Sequence, residues 1–123
     1  MELNELTGTI VDAAFEVHQT LGPGLLEEVY KKCLKAELQY RKLKVLSEVG
    51  LPVFYKDLSL DLGYRLDLLV EDRVIVELKA VYLLHPVHRA QLYTYLKLSD
   101  KPLGLLFNFN TRLMKDGIVR VRI

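Results

Sequence analysis

Asp67, Glu77 and Lys79 are the side chains in this sequence whose types and spacing best suit chemistry. They fall in Gly63–Val81, which reads as two strands joined by the polar turn Glu71-Asp72-Arg73. If the strands pair across a three-residue loop centred on Asp72, Leu66, Leu68 and Val70 share one face with Val74, Val76, Leu78 and Ala80. The opposite face carries Arg65, Asp67, Glu77 and Lys79, with Asp67 directly across from Glu77. Two carboxylates on adjacent strands, with the backbone carbonyl of Leu78, offer the oxygen ligands that Mg2+ or Mn2+ prefers. Lys79 on the same face could orient an attacking water or neutralise charge on a phosphate oxygen. Those are the requirements of metal-assisted phosphodiester hydrolysis. The other reading is an ion-paired surface. A shift of register sets Arg65 against Glu77, or Asp67 against Lys79, in surface pairs worth at most about 1 kcal/mol.

The elements that must position these residues follow from periodicity. Leu6, Ile10, Ala13, Ala14, Val17 and Leu21 recur at helical spacing, which predicts a helix from Asn4 to Leu21 with Asn4 as its N-cap. Gly22-Pro23-Gly24 stops it. A second helix is expected from Leu25 to about Leu43, burying Leu26, Val29, Cys33, Leu34 and Leu38 and turning Lys31, Lys32, Lys35, Arg41 and Lys42 outward. Strands are expected over Val45–Tyr55, with Pro52 marking an edge or bulge, then Leu58–Val70 and Val74–Tyr82 in a meander. Pro86 opens a third helix to about Leu98. The apolar run Leu103–Phe109 reads as a strand covered on both faces, and Gly117–Ile123 as a last alternating strand. The order α-α-β-β-β-α-β-β predicts an α/β (α+β) single domain over 1–123, a mixed sheet with helices packed on it.

Half of the positions are hydrophobic, enough for one core. With 17 basic against 16 acidic residues, the overall charge gives no general attraction for nucleic acid, so any such contact must be local. No apolar run approaches the roughly 18 residues that cross a bilayer, and Met-Glu-Leu-Asn-Glu-Leu has no signal-peptide character. A soluble, cytoplasmic protein with no membrane partner is expected. Cys33 is the only cysteine and suits a buried thiol.

Asp67 followed by Glu77-Leu78-Lys79 resembles the D…(D/E)xK signature of the PD-(D/E)XK nuclease superfamily, whose core is that of the restriction endonucleases. Gly24-Leu25-Leu26-Glu27-Glu28-Val29-Tyr30 resembles the motif of its GxxExxY branch. The resemblance extends through Val17-His18, Leu21-Gly22-Pro23-Gly24, Ala90-Gln91-Leu92, Tyr95-Leu96, Asn108-Phe109 and Gly117-Ile118. One departure is Leu66, which stands where the superfamily name has proline.

The resemblance implies that Asp67 and Glu77 bind Mg2+ or Mn2+, that Lys79 is the catalytic lysine, and that Glu27 is a further acidic group. It also implies that Gln91 is the glutamine of the following helix, with Tyr95 one turn on. Gly24, Glu27 and Tyr30 lie within about a third of a helix circumference. Tyr30, Arg65, His88 and Tyr95 are candidate cleft-lining residues, although Tyr30 also suits packing and Glu27 suits a helix dipole. His85-x-x-His88 has no third ligand at zinc spacing; His88 and His18 suit phosphate contact or helix capping. The implied function is a metal-dependent nuclease, with DNA ahead of RNA. The alternative is a catalytically silent nucleic-acid-binding or protein-interaction module on the same fold. A homo-oligomer paired through the Leu103–Phe109 or final strand, or an accessory protein partner, is a third expectation.

Overall fold

The computed structural model describes residues 1–123. The first helix, α1 (Leu3–Leu21), buries Leu6, Ile10, Ala13, Ala14 and Val17 as its periodicity requires. Asn4 is not its cap: Glu2 occupies that position, and the Asn4 Oδ1 accepts a hydrogen bond from Arg120 at 3.1 Å. Gly22, at φ 70°, ends the helix and donates its N–H to the His18 carbonyl at 2.7 Å.

The second helix, α2 (Glu27–Tyr40), is shorter than the sequence suggested and presents a different face. Tyr30, Lys31, Leu34 and Leu38 are buried, whereas Leu26 is 76 % exposed, Val29 is exposed and Cys33 is half-buried. Tyr30 explains the rotation. Its ring stacks on Phe109 with centroids 4.8 Å apart, and its hydroxyl donates to Gly22 O at 2.6 Å and accepts from the Leu25 N–H at 3.1 Å. These contacts fix the helix start and carry Lys31, expected outside, into the interior.

Five strands form one mixed sheet: β1 (Val45–Gly50), β4 (Arg65–Val70), β5 (Val74–Lys79), β6 (Leu103–Asn108) and β7 (Ile118–Arg122), side by side in that order. Only β5 and β6 run parallel, joined through helix α3 (Pro86–Ser99) as a parallel pair requires. The turn Glu71-Asp72-Arg73 connects β4 to β5 as expected, with Glu71 and Asp72 at positive φ. Two predicted strands are each broken in two. Val53–Tyr55 (β2) and Leu58–Leu60 (β3) leave the sheet as a separate hairpin, with Pro52 at the break. The third predicted strand ends at Lys79 rather than Tyr82. β6 lies inside the sheet between β5 and β7, so it offers no free edge for pairing with another copy.

The sheet divides the core. Leu68, Val70, Val74, Val76, Leu78, Leu105 and Phe107 pack beneath α1 and α2. Leu69, Ile75 and Leu106 pack beneath α3 with Leu92 and Leu96. Leu66, expected with Leu68, belongs instead to the α3 side. Its displacement marks an interruption in the strand alternation at Asp67, where the site is found.

Candidate active site

The β4–β5 ladder pairs Val70 with Val74, Leu69 with Ile75 and Leu68 with Val76, and then stops. The next step in that register sets Asp67 opposite Glu77, as read from the sequence. There the side chains take over the bonding. The Asp67 N–H donates to Glu77 Oε2 at 2.8 Å, and the Leu78 N–H donates to Asp67 Oδ2 at 2.9 Å. The β1–β4 pairing also omits this step, skipping from Ser47–Leu68 to Val49–Leu66, and the intervening Glu48 has φ 54°. A local splay of the strands therefore opens on both sides of Asp67. It moves Leu66 to the opposite face and holds the two carboxylates together.

Glu77 is only 8 % exposed. Burial pushes its carboxyl up to about 8; the Asp67 charge adds to this, while the Asp67 N–H, Lys79 and Lys31 oppose it. No buried side-chain oxygen lacks a partner, so Glu77 Oε1, which takes no hydrogen bond, is open to solvent. Residue alternation points the Leu78 carbonyl, like its N–H, toward β4. Two carboxylates and this carbonyl fit a hard divalent cation that retains water in its remaining positions. No three acidic, histidine or cysteine side chains converge on one point.

Glu27 nevertheless faces the same centre from the first residue of α2. Burial raises its carboxyl, Lys79 lowers it and Asp67 raises it further, so Glu27 feels the charges of both the sheet carboxylate and the lysine. Lys79 ends β5, its carbonyl accepting from the Phe109 N–H at 2.9 Å, and it has no ion-pair partner within 4.0 Å. Its cation acts on Glu27, Glu77 and His88. From α3, Tyr95 is buried, and burial followed by the Glu77 charge raises its hydroxyl. His88, held low by burial and then Lys79, accepts the His85 N–H as part of a capping box. The histidine pair therefore starts α3, with no zinc-type cluster around it. Gln91, between His88 and Tyr95, is exposed and lines a groove of about 520 Å³ with Tyr95 and Tyr64.

Two proposed cleft residues lie elsewhere. Tyr30 is fully buried and holds the loop before Glu27 instead of lining a cleft. Arg65 is exposed above Gly50 and donates to the Tyr64 carbonyl at 3.2 Å; the cations acting on Glu77 are Lys79 and Lys31.

Lys31 is the main residue that sequence reasoning missed. Its Nζ lies 3.6 Å from Asp67 Oδ1 and 3.3 Å from Glu28, and it hydrogen-bonds Glu48. Burial disfavours its charge, but these carboxylates outweigh burial and push its ammonium group well up. Its spacing of four from Glu27 was the available signal, since residues at i and i+4 share a helix face. Asn108, quoted only as part of the family pattern, was given no role. Its Oδ1 accepts from Val81 N–H at 3.1 Å and Asn110 N–H at 3.2 Å, and its Nδ2 donates to Val81 O at 2.9 Å, clamping the chain just beyond Lys79. Asn110 Oδ1 accepts the Gly24 N–H, and the His18 Nε2–H donates to Thr111 O at 2.8 Å. Gly117 lies so close that a Cβ would stand 2.2 Å from Asn108 O. The scattered motifs thus meet in one polar frame around the ends of β5 and β6.

A model of the PD-(D/E)XK nuclease superfamily matches residues 4–121, and the chain belongs to that superfamily. No curated protein and no solved structure matches it. The mixed sheet with its three helices accords with the nuclease fold, and no helix is long and apolar enough to cross a membrane.

Proposed function

We propose that this member of the superfamily is a Mg2+- or Mn2+-dependent phosphodiesterase of the GxxExxY branch, acting on nucleic acid, with DNA ahead of RNA. The observation that carries this reading is the reciprocal bonding of Asp67 and Glu77 at a break in the ladder, with the free cation of Lys79 alongside. Superfamily membership implies a nucleic-acid substrate and divalent-metal chemistry. Tyr30 supports the branch assignment, because it ties Gly24-x-x-Glu27-x-x-Tyr30 into a turn that delivers Glu27 to the site.

In this reading Asp67 and Glu77 would hold the cation, which would supply Lewis-acid polarisation of a phosphate oxygen and a more acidic water. Glu77 would hold the cation as the ionised carboxylate and so would have to give up its proton first, because only that form is a strong oxygen ligand. Lys79 places its charge beside the reacting phosphate and orients the water. Glu27 accepts a hydrogen bond from that water, and Gln91 contacts the substrate from the helix face it shares with His88 and Tyr95. Lys31 keeps Asp67 in position from behind.

The test is incubation of the purified chain with single- and double-stranded DNA and RNA, in Mg2+, Mn2+ or chelator. Metal-dependent cleavage that disappears in Asp67→Ala and Lys79→Ala is expected. Cleavage that survives both substitutions, or none with any substrate, would remove the enzymatic reading. The second reading, a silent binding module, is favoured by one observation: Lys31 Nζ stands 3.6 Å from Asp67 Oδ1 and offsets the charge that a cation would need. Nucleic acid retained without turnover would support it.

A further inference from the structure

The β2–β3 hairpin pairs Val53 with Leu60, Phe54 with Ser59 and Tyr55 with Leu58, and joins no other strand. A lone two-stranded hairpin is marginal in water unless something packs on it. This one turns its apolar side chains outward: Phe54 is 64 % exposed, and Tyr55, Leu58, Leu60, Leu62 and Tyr64 are exposed around it. At its foot, Val53 and Tyr64 form one wall of the groove that holds Gln91, and Val87, Ala90 and Leu98 of α3 form the other. An apolar arm and an apolar groove thus stand side by side on one molecule. A two-fold pair requires such a self-complementary arrangement.

We propose that this surface joins two copies of the chain, each arm lying across the α3 face of the other. The available area suits a dimer. With aromatic side chains offering about 150–250 Å² each, the six exposed arm residues present roughly 600 Å² before the groove wall is included. A stable interface takes about 800 Å² per partner. Charge also matches. Residues 53–64 carry Asp57 and Asp61 against Lys56, while the outer flank of α3 is basic. Arg89 and Arg122 line the adjoining groove, and Lys97 sits 5.7 Å over the Tyr93 ring. An arm that is acidic and rich in leucine repels a phosphate backbone and suits a partner's basic helix. Tyr64 stands edge-on to Tyr95 at 6.3 Å, so the contact would lie beside the carboxylate site. The proposal does not depend on nuclease activity.

Light scattering and sedimentation of the full chain over a range of concentrations test it. The expected particle is about 28 kDa, twice the 14.2 kDa chain. Phe54→Asp should yield monomer. The surface double variant Asp57→Lys, Asp61→Lys should raise the dimer dissociation constant about tenfold or more, and adding Arg89→Glu and Lys97→Glu should recover most of the loss. Circular dichroism checks that each variant is folded. Monomer at every concentration, or a dimer indifferent to all these changes in folded protein, overturns the proposal. A monomer whose Phe54 is needed to bind oligothymidylate would assign the surface to single-stranded nucleic acid and overturn it as well.

Discussion

Lys31 Nζ stands 3.6 Å from Asp67 Oδ1, so a cation is already built in beside the carboxylate pair. Replacing Lys31 with Met leaves Asp67 facing Glu48 without compensation. Breaking a buried ion pair costs several kcal/mol, but Glu28 and Glu48 are more than half exposed and can rehydrate. A loss of about 1–3 kcal/mol is therefore expected in metal-free protein. Millimolar Mg2+ should restore part of it, because the metal replaces the lost charge. Thermal melts with and without Mg2+ measure both effects, and a variant as stable as wild type would contradict the role given to Lys31.

Glu77 predicts a pH dependence with a definite sign. Its carboxyl rises from an ordinary value of 4.5 to about 8 in the folded chain. Between those values the folded protein holds a proton that the unfolded chain has released. Metal-free stability should therefore fall as pH climbs from about 5 to 8, with a slope approaching 1.4 kcal/mol per unit from this group alone. Urea unfolding in chelator across that range should show the fall in wild type and a flatter profile in Glu77→Gln. Equal slopes in the two proteins would count against a protonated, buried Glu77.

Tyr30→Phe keeps the ring stacked on Phe109 and removes only the hydroxyl that joins Gly22 to Leu25. Loss of these two bonds should cost about 1–3 kcal/mol by urea unfolding. If Tyr30 positions Glu27, the variant should also lose turnover while retaining substrate affinity. Loss of stability with unchanged turnover would confine Tyr30 to packing.

Gly117→Ala forces a methyl group against the Asn108 carbonyl and the Thr111 hydroxyl, which lie at 2.2 and 2.9 Å from the Cβ position. The backbone must move, at a cost of roughly 3 kcal/mol. The Asn108 clamp on Val81 should loosen with it. Faster amide exchange at Val81, measured by NMR, would show this directly, and unchanged exchange would argue against the frame.

The sequence located the carboxylate pair because strand register is set by alternation and turn length, both visible between Gly63 and Val81. It could not show the splay. That depends on Glu48 from a strand far away in sequence adopting positive φ opposite Asp67. Lys31 was misplaced because Leu26, Val29 and Cys33 also form an apolar helical stripe, and only the tertiary anchor of Tyr30 on Phe109 selects the competing face. The departure of β2 and β3 from the sheet was hidden for a similar reason. Apolar alternation continues through Pro52, which marks an edge or bulge but does not show that the strand beyond it leaves the sheet. Asn108 carried no periodic signal, since its partners are backbone groups brought near by the parallel β5–β6 pair.

The central claim is that Asp67 and Glu77 together form one divalent-metal site. Isothermal titration of Mn2+ into the wild-type chain, repeated in two buffers to count released protons, tests it most directly. One site is predicted, with proton release below pH 8, and with uptake abolished in both Asp67→Asn and Glu77→Gln. No uptake by wild type with or without DNA, or uptake unchanged in the two variants, would contradict it.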